Sequence, residues 1–215
     1  APDLTVEQRR EGMESTPRAA TPDDIDLQNI TVDNIPGRWV NAPGVREDHV
    51  VIYYHGGGYV MGSIDTHEEL MSRISRETNA RVLGIDYRLA PEAPFPAAVE
   101  DGLAAYRWVL AQGISPANIL LGGDSAGGGL TLATMLAARK ESISMPAGGI
   151  LFSPWTDLTA SGVSVKSREG VDPMIPNRDI LITIAANYHT DTTEPLVSPL
   201  LADLTGLPPL LIQVG

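Results

Sequence analysis

The stretch Ile119-Leu120-Leu121, Gly123-Asp124-Ser125-Ala126-Gly127, Leu130-Thr131-Leu132-Ala133-Thr134-Met135-Leu136-Ala137-Ala138 decides the fold. An apolar run enters a G-x-S-x-G pentapeptide, and the pentapeptide opens into an Ala/Leu-rich run. This is strand, sharp turn and helix, the setting that forces a serine onto an elbow with its hydroxyl exposed. Gly123 and Gly127 fit that elbow, because a Cβ at either position would meet the neighbouring strand or helix. The other reading of Ser125 is a helix N-cap, since serine is favoured where a helix begins. The flanking glycines and a second motif upstream weigh against it.

The second motif is His55-Gly56-Gly57-Gly58, which follows the apolar run Val50-Val51-Ile52-Tyr53-Tyr54. Glycines let main-chain N–H groups approach a reacting carbonyl, where a developing oxyanion needs donors. Gly57, Gly58 and the N–H of Ala126 are the candidate donors, with Ser125 the candidate nucleophile. The chemistry implied is acyl transfer. A flexible glycine turn is the plainer reading, but three consecutive glycines are costly in folding entropy.

Outward from these motifs the chain alternates short apolar runs with amphipathic ones. Strands are expected at Val50–Tyr54, Arg81–Asp86, Asn118–Gly122 and Gly149–Phe152, and helices at Thr66–Thr78, Pro96–Ala111 and Ser125–Lys140. That alternation predicts an α/β fold, a mostly parallel sheet with helices on both faces. The Thr66 helix should be capped by Asp65 or Thr66. Ile25 to Val32 reads as an edge strand, with Arg38-Trp39-Val40 as its antiparallel hairpin partner across an Asn34-Ile35-Pro36-Gly37 turn. Residues 1–24 form an N-terminal arm and 25–156 the core. Residues 157–205, including a helix at Arg178–Tyr188, are a cap insertion and connection, and 206–215 return to the core as a buried strand. Because that strand would be central, the chain reads as C-terminally truncated.

The 215 residues suffice for one α/β domain. Lys and Arg number 15 against 27 Asp and Glu, a net charge of −12, which disfavours nucleic acid and anionic membranes as partners. With no cysteine and no ligand cluster, neither metal nor cofactor is expected. No apolar run approaches the ~20 residues of a membrane span and the polar N-terminus has no signal-peptide core, so a cytoplasmic location is expected. A leader cleaved before residue 1 stays open.

The combined motifs resemble the hormone-sensitive-lipase-like carboxylesterases of the α/β-hydrolase superfamily. The resemblance rests on His55-Gly56-Gly57-Gly58-Tyr59, Asp86-Tyr87-Arg88-Leu89-Ala90-Pro91-Glu92, Pro94-Phe95-Pro96-Ala97, Gly123-Asp124-Ser125-Ala126-Gly127-Gly128, Ser153-Pro154-Trp155-Thr156-Asp157-Leu158, Ser198-Pro199 and Gly206-Leu207-Pro208-Pro209. It implies an α/β-hydrolase fold and a serine carboxylesterase acting on small-molecule esters with short to medium acyl chains. In that family the triad acid and histidine fall beyond Val214-Gly215, and dimers often use the sheet's last strand, which would also lie beyond this chain. The family implies that His55 organises the glycine loop, that Asp124 and Asp157 are structural, and that Asp86, Tyr87, Arg88 and Glu92 brace the loop after their strand. His67 and His189 are weak candidates for the base, and His49 sits before a strand, at the end opposite the elbow. Cap residues Val163, Val171, Met174, Ile175, Ile180 and Ile184 either line an acyl pocket or pack the cap onto the sheet. A catalytically silent ligand-binding protein, and a hydrolase of amides or acetyl esters, remain alternatives on the same scaffold.

Overall fold

From Val50 to Tyr54 every residue of strand β3 (Arg46–Tyr54) is buried, and alternate side chains enter different cores. Val50, Ile52 and Tyr54 join one cluster, Val51 and Tyr53 another, as the two-residue repeat of a strand requires. A strand apolar on both faces needs cover on both. The computed structural model, which describes residues 4–172, 174–175 and 177–214, provides it. Helix α2 (Ile64–Thr78) packs Ile64, Met71 and Ile74 on one face. On the other, α3 (Ala97–Ala111) contributes Val99, Leu103 and Tyr106, and α4 (Ala126–Lys140) contributes Leu130, Ala133 and Met135.

The sheet has seven strands in the order β1-β2-β4-β3-β5-β6-β7. Strands β1 (Asp26–Val32) and β2 (Ile35–Asn41) form an antiparallel hairpin, and β2 joins β4 (Ala80–Ile85) antiparallel. From β4 through β3, β5 (Ile119–Asp124), β6 (Gly148–Phe152) and β7 (Leu210–Gln213) every pairing is parallel. Helix α1 (Val6–Ser15) lies ahead of the sheet, while α5 (Val163–Ser167) and α6 (Arg178–Tyr188) belong to the segment between β6 and β7. No helix among the described residues is long and apolar enough to cross a membrane.

The structure corrects two sequence expectations. The hairpin turns at Asp33-Asn34, both at positive φ (50° and 68°), not across residues 34–37. A two-residue turn needs left-handed backbone at both positions, which Asp and Asn tolerate best after glycine. Ile35, Pro36 and Gly37 therefore lie in β2. Helix α2 starts earlier than expected, with Ser63 as its cap in a reciprocal box with Thr66. As expected for a strand at the end of this chain, β7 pairs with β6 on one side and leaves Leu211 63% and Ile212 55% exposed.

Candidate active site

The parallel register of β3 and β5 sets Tyr54 beside Gly123, so the two motifs leave the sheet at the same edge as neighbours. Ser125 occupies the turn between β5 and α4 at φ 51°, ψ −118°. Left-handed φ is unusual for serine, and the surrounding hydrogen bonds hold it there. Its N–H donates to Phe152 O (2.9 Å), and its carbonyl accepts from Trp155 N (2.7 Å) and Gly129 N (3.1 Å). Although Ser125 stands at the N-cap position, its side chain makes no capping bond. The helix-cap reading therefore fails on geometry. Around the half-buried Ser125, residues Ala126 to Gly129 are buried.

The glycines have close neighbours. A Cβ on Gly127 would collide with the Tyr54 carbonyl oxygen and lie 2.7 Å from that of His55; one on Gly123 would collide with Tyr54 O. Elbow and glycine loop thus pack backbone to backbone. In the loop, Gly57 (φ 124°) and Gly58 (φ 65°) adopt conformations open mainly to glycine. The Gly57 carbonyl closes the turn by accepting from Val60 N (3.1 Å) and Met61 N (3.0 Å). The amides of Gly57, Gly58 and Ala126 enter no hydrogen bond among the described residues. Gly58 faces Ile184 of α6: a Cβ there would sit 2.6 Å from Ile184 Cγ2 and 3.9 Å from Trp155 Cζ3.

Asp124 ties the motifs together. Its Oδ1 accepts from Gly56 N (2.9 Å) and Tyr53 Oη (2.8 Å) and lies 3.3 Å from His67 Nε2. Burial raises the carboxyl, yet the bond and charge of His67 with the donors Tyr53 and Gly56 outweigh it and hold Asp124 below the usual carboxylate range. Burial, then the Asp124 charge, pushes the Tyr53 phenol well up. His55 is buried with its Nδ1 2.8 Å from Gly56 O, its ring stacked on Tyr87 (4.2 Å between centroids), and its carbonyl accepting from Tyr87 Oη (2.7 Å). Burial lowers its pKa to about 4, so it is neutral near pH 7.

The other candidates lie elsewhere. His49 falls within β3 beside Asp48 (2.9 Å), and His189 lies tilted against Phe95, 4.9 Å between ring centroids. Asp157 caps its own loop through Thr159 and Ser161. The expected brace of Asp86, Tyr87, Arg88 and Glu92 divides into separate contacts. Asp86 accepts from Ile64 N (2.7 Å), Arg88 pairs with Asp101 (2.7 Å) and Glu100, and Glu92 pairs with Arg10 of α1 (2.6 Å). Val163, Val171, Met174 and Ile175 are exposed, Ile180 is buried, and Ile184 alone of the six meets the glycine loop. Sequence reading missed Tyr53, whose strand parity opposite Tyr54 was the available signal, and Tyr188, whose stacking on Tyr59 (3.9 Å) is a long-range contact without local signature.

A strained serine at a strand–helix elbow beside a glycine loop defines an α/β-hydrolase site. Residues 51–215 match the family described as having the α/β-hydrolase fold, and the chain belongs to it, in the hormone-sensitive-lipase-like esterase branch. It is similar to an acetyl-hydrolase of Streptomyces hygroscopicus (44% identical, over 86% of this chain and 62% of the relative). It is also similar to an esterase of Acinetobacter venetianus (37% identical, over 87% of this chain and 65% of the relative). The chain therefore spans under two thirds of those relatives. Among solved structures, an esterase from the bacterial hormone-sensitive lipase family superposes with a TM-score of 0.94 at 48% identity, over 100% of this chain and 73% of that one.

Proposed function

We propose that the protein is a carboxylic-ester hydrolase with Ser125 as nucleophile and the amides of Gly57, Gly58 and Ala126 as oxyanion donors. The observation that carries this reading is Ser125 held at φ 51°, ψ −118° in the elbow, free of any capping role, against a glycine loop tied to it through Asp124. Ser125 Oγ attacks the ester carbonyl and loses its proton to a base. The tetrahedral oxyanion collects main-chain N–H bonds, and the alcohol departs carrying that proton. Water then repeats the sequence on the acyl-enzyme, releasing the acid and restoring the serine. None of His49, His55, His67 and His189 hydrogen-bonds Ser125, so the mechanism needs a base that these residues do not supply.

The proposed substrates are esters of short to medium acyl chains. Ile184 and Trp155 crowd Gly58, which supports a confined acyl pocket, and one relative is named an acetyl-hydrolase. The test is turnover of p-nitrophenyl acetate, butyrate and dodecanoate by the full-length protein and its Ser125→Ala variant. Hydrolysis of the two shorter esters that disappears in the variant is expected. Absence of Ser125-dependent turnover on all three overturns the reading.

A further inference from the structure

Asp124 Oδ1 is the meeting point of three chain segments: the end of β3 through Tyr53, the glycine loop through Gly56, and α2 through His67. His67 Nε2 lies 3.3 Å from Asp124 Oδ1 and also 3.3 Å from Gly56 N. The Gly56 amide thus points between a carboxylate and an imidazole. The other ring nitrogen, Nδ1, lies 2.7 Å from Thr66 Oγ1 and 3.3 Å from Ser63 O. Thr66 Oγ1 also donates to Ser63 O (2.8 Å), so the cap of α2 anchors the ring from its Nδ1 side. On its other side Nε2 faces both the Asp124 carboxylate and the Gly56 amide.

His67 is buried and takes no part in the bond-making steps at Ser125. Its leverage lies in the loop residues next to Gly56. The Gly57 N–H lies in the rigid peptide plane that begins at Gly56 Cα, so displacing Gly56 displaces that donor, and Gly58 follows one φ/ψ pair further on. Gly56 itself has no room to drift, since a Cβ there would strike the Asp124 carboxylate. Resting on the ester-hydrolase reading, we propose that His67 is a positioning residue: it holds Asp124 and the Gly56 amide so that the Gly57 and Gly58 N–H groups meet the tetrahedral intermediate.

The test compares the full-length wild type with His67→Ala and His67→Gln on p-nitrophenyl butyrate. An alkyl trifluoromethyl ketone, whose serine adduct places an oxyanion where the intermediate has one, serves as the second probe. Thermal melts and active-site titration correct for folded fraction. Misaligned donors weaken transition-state binding selectively, so kcat should fall roughly ten- to hundredfold and the ketone Ki rise by a like factor, with KM within about threefold. Gln, which keeps an acceptor for Gly56, should lose less than Ala. Variants within about twofold of wild type in kcat and Ki, or losing both only in proportion to unfolded protein, overturn the inference. Should the Ala variant not fold, the Gln variant decides. A wild type without Ser125-dependent turnover or ketone binding is a separate result, which overturns the ester-hydrolase reading before any variant is compared.

Discussion

A single carbon added at residue 127 would collide with the Tyr54 carbonyl oxygen and lie 2.7 Å from that of His55. Both obstacles are backbone, which cannot rotate away as a side chain would. Gly127→Ala is therefore expected to cost about 2–4 kcal/mol of folding stability, read as a shift in urea midpoint at unchanged m-value. His55 gives a different prediction at this scale. Its folded pKa, about 4, lies below the ordinary 6.5, so between those values the unfolded chain binds more protons. Stability is then complete above pH 6.5 and declines as pH falls towards 4, by at most roughly 3 kcal/mol. Urea midpoints of wild type and His55→Asn should converge over that window, the variant's profile being flatter. Parallel profiles would contradict the assignment of the slope to His55.

Helix α2 illustrates how one element serves the site. Ser63 caps it, accepting from Thr66 N (3.2 Å), and the same hydroxyl donates to Glu14 of α1 (2.9 Å). Ser63→Ala should cost about 1 kcal/mol, visible as a lower melting temperature. In the cap, α6 ends on Tyr188, fully buried and stacked at 7° on Tyr59, while its carbonyl accepts from Phe95 N (3.0 Å). Removing that ring should cost about 3–5 kcal/mol locally. Limited proteolysis of Tyr188→Ala is expected to cleave first between residues 160 and 188, leaving the sheet resistant. Cleavage in the sheet first would show that α6 is not separately anchored.

Across the whole molecule, the two sheet edges differ. At one, β1 is mostly polar, presenting Asp26, Gln28 and Asn29 with Leu27 as its single exposed large apolar residue. At the other, β7 presents Leu211, Ile212 and, just after it, Val214 largely exposed. An apolar edge strand invites pairing with another chain. A polypeptide of these 215 residues expressed alone is expected to self-associate with concentration by light scattering. Ile212→Lys should reduce that association, and a monodisperse monomer at high concentration would refute the expectation.

The chemistry-bearing residues, the alternation of strand and helix, and the elbow at Ser125 were all legible in the amino-acid order. These follow from local rules: short apolar runs, glycines where a Cβ cannot fit, and a helix that continues from the turn without a break. Even Arg178–Tyr188 was legible, because its pattern is local. The remainder depends on strand order, which emerges with the folded sheet. Nothing in the letters says that β3 lies between β4 and β5, yet that order sets Tyr54 against Gly123 and brings Asp124, Gly56, Tyr53 and His67 to one oxygen atom. Hydrophobic patterning reports which residues prefer burial, whereas their neighbours are fixed by sheet register, a property of the whole fold.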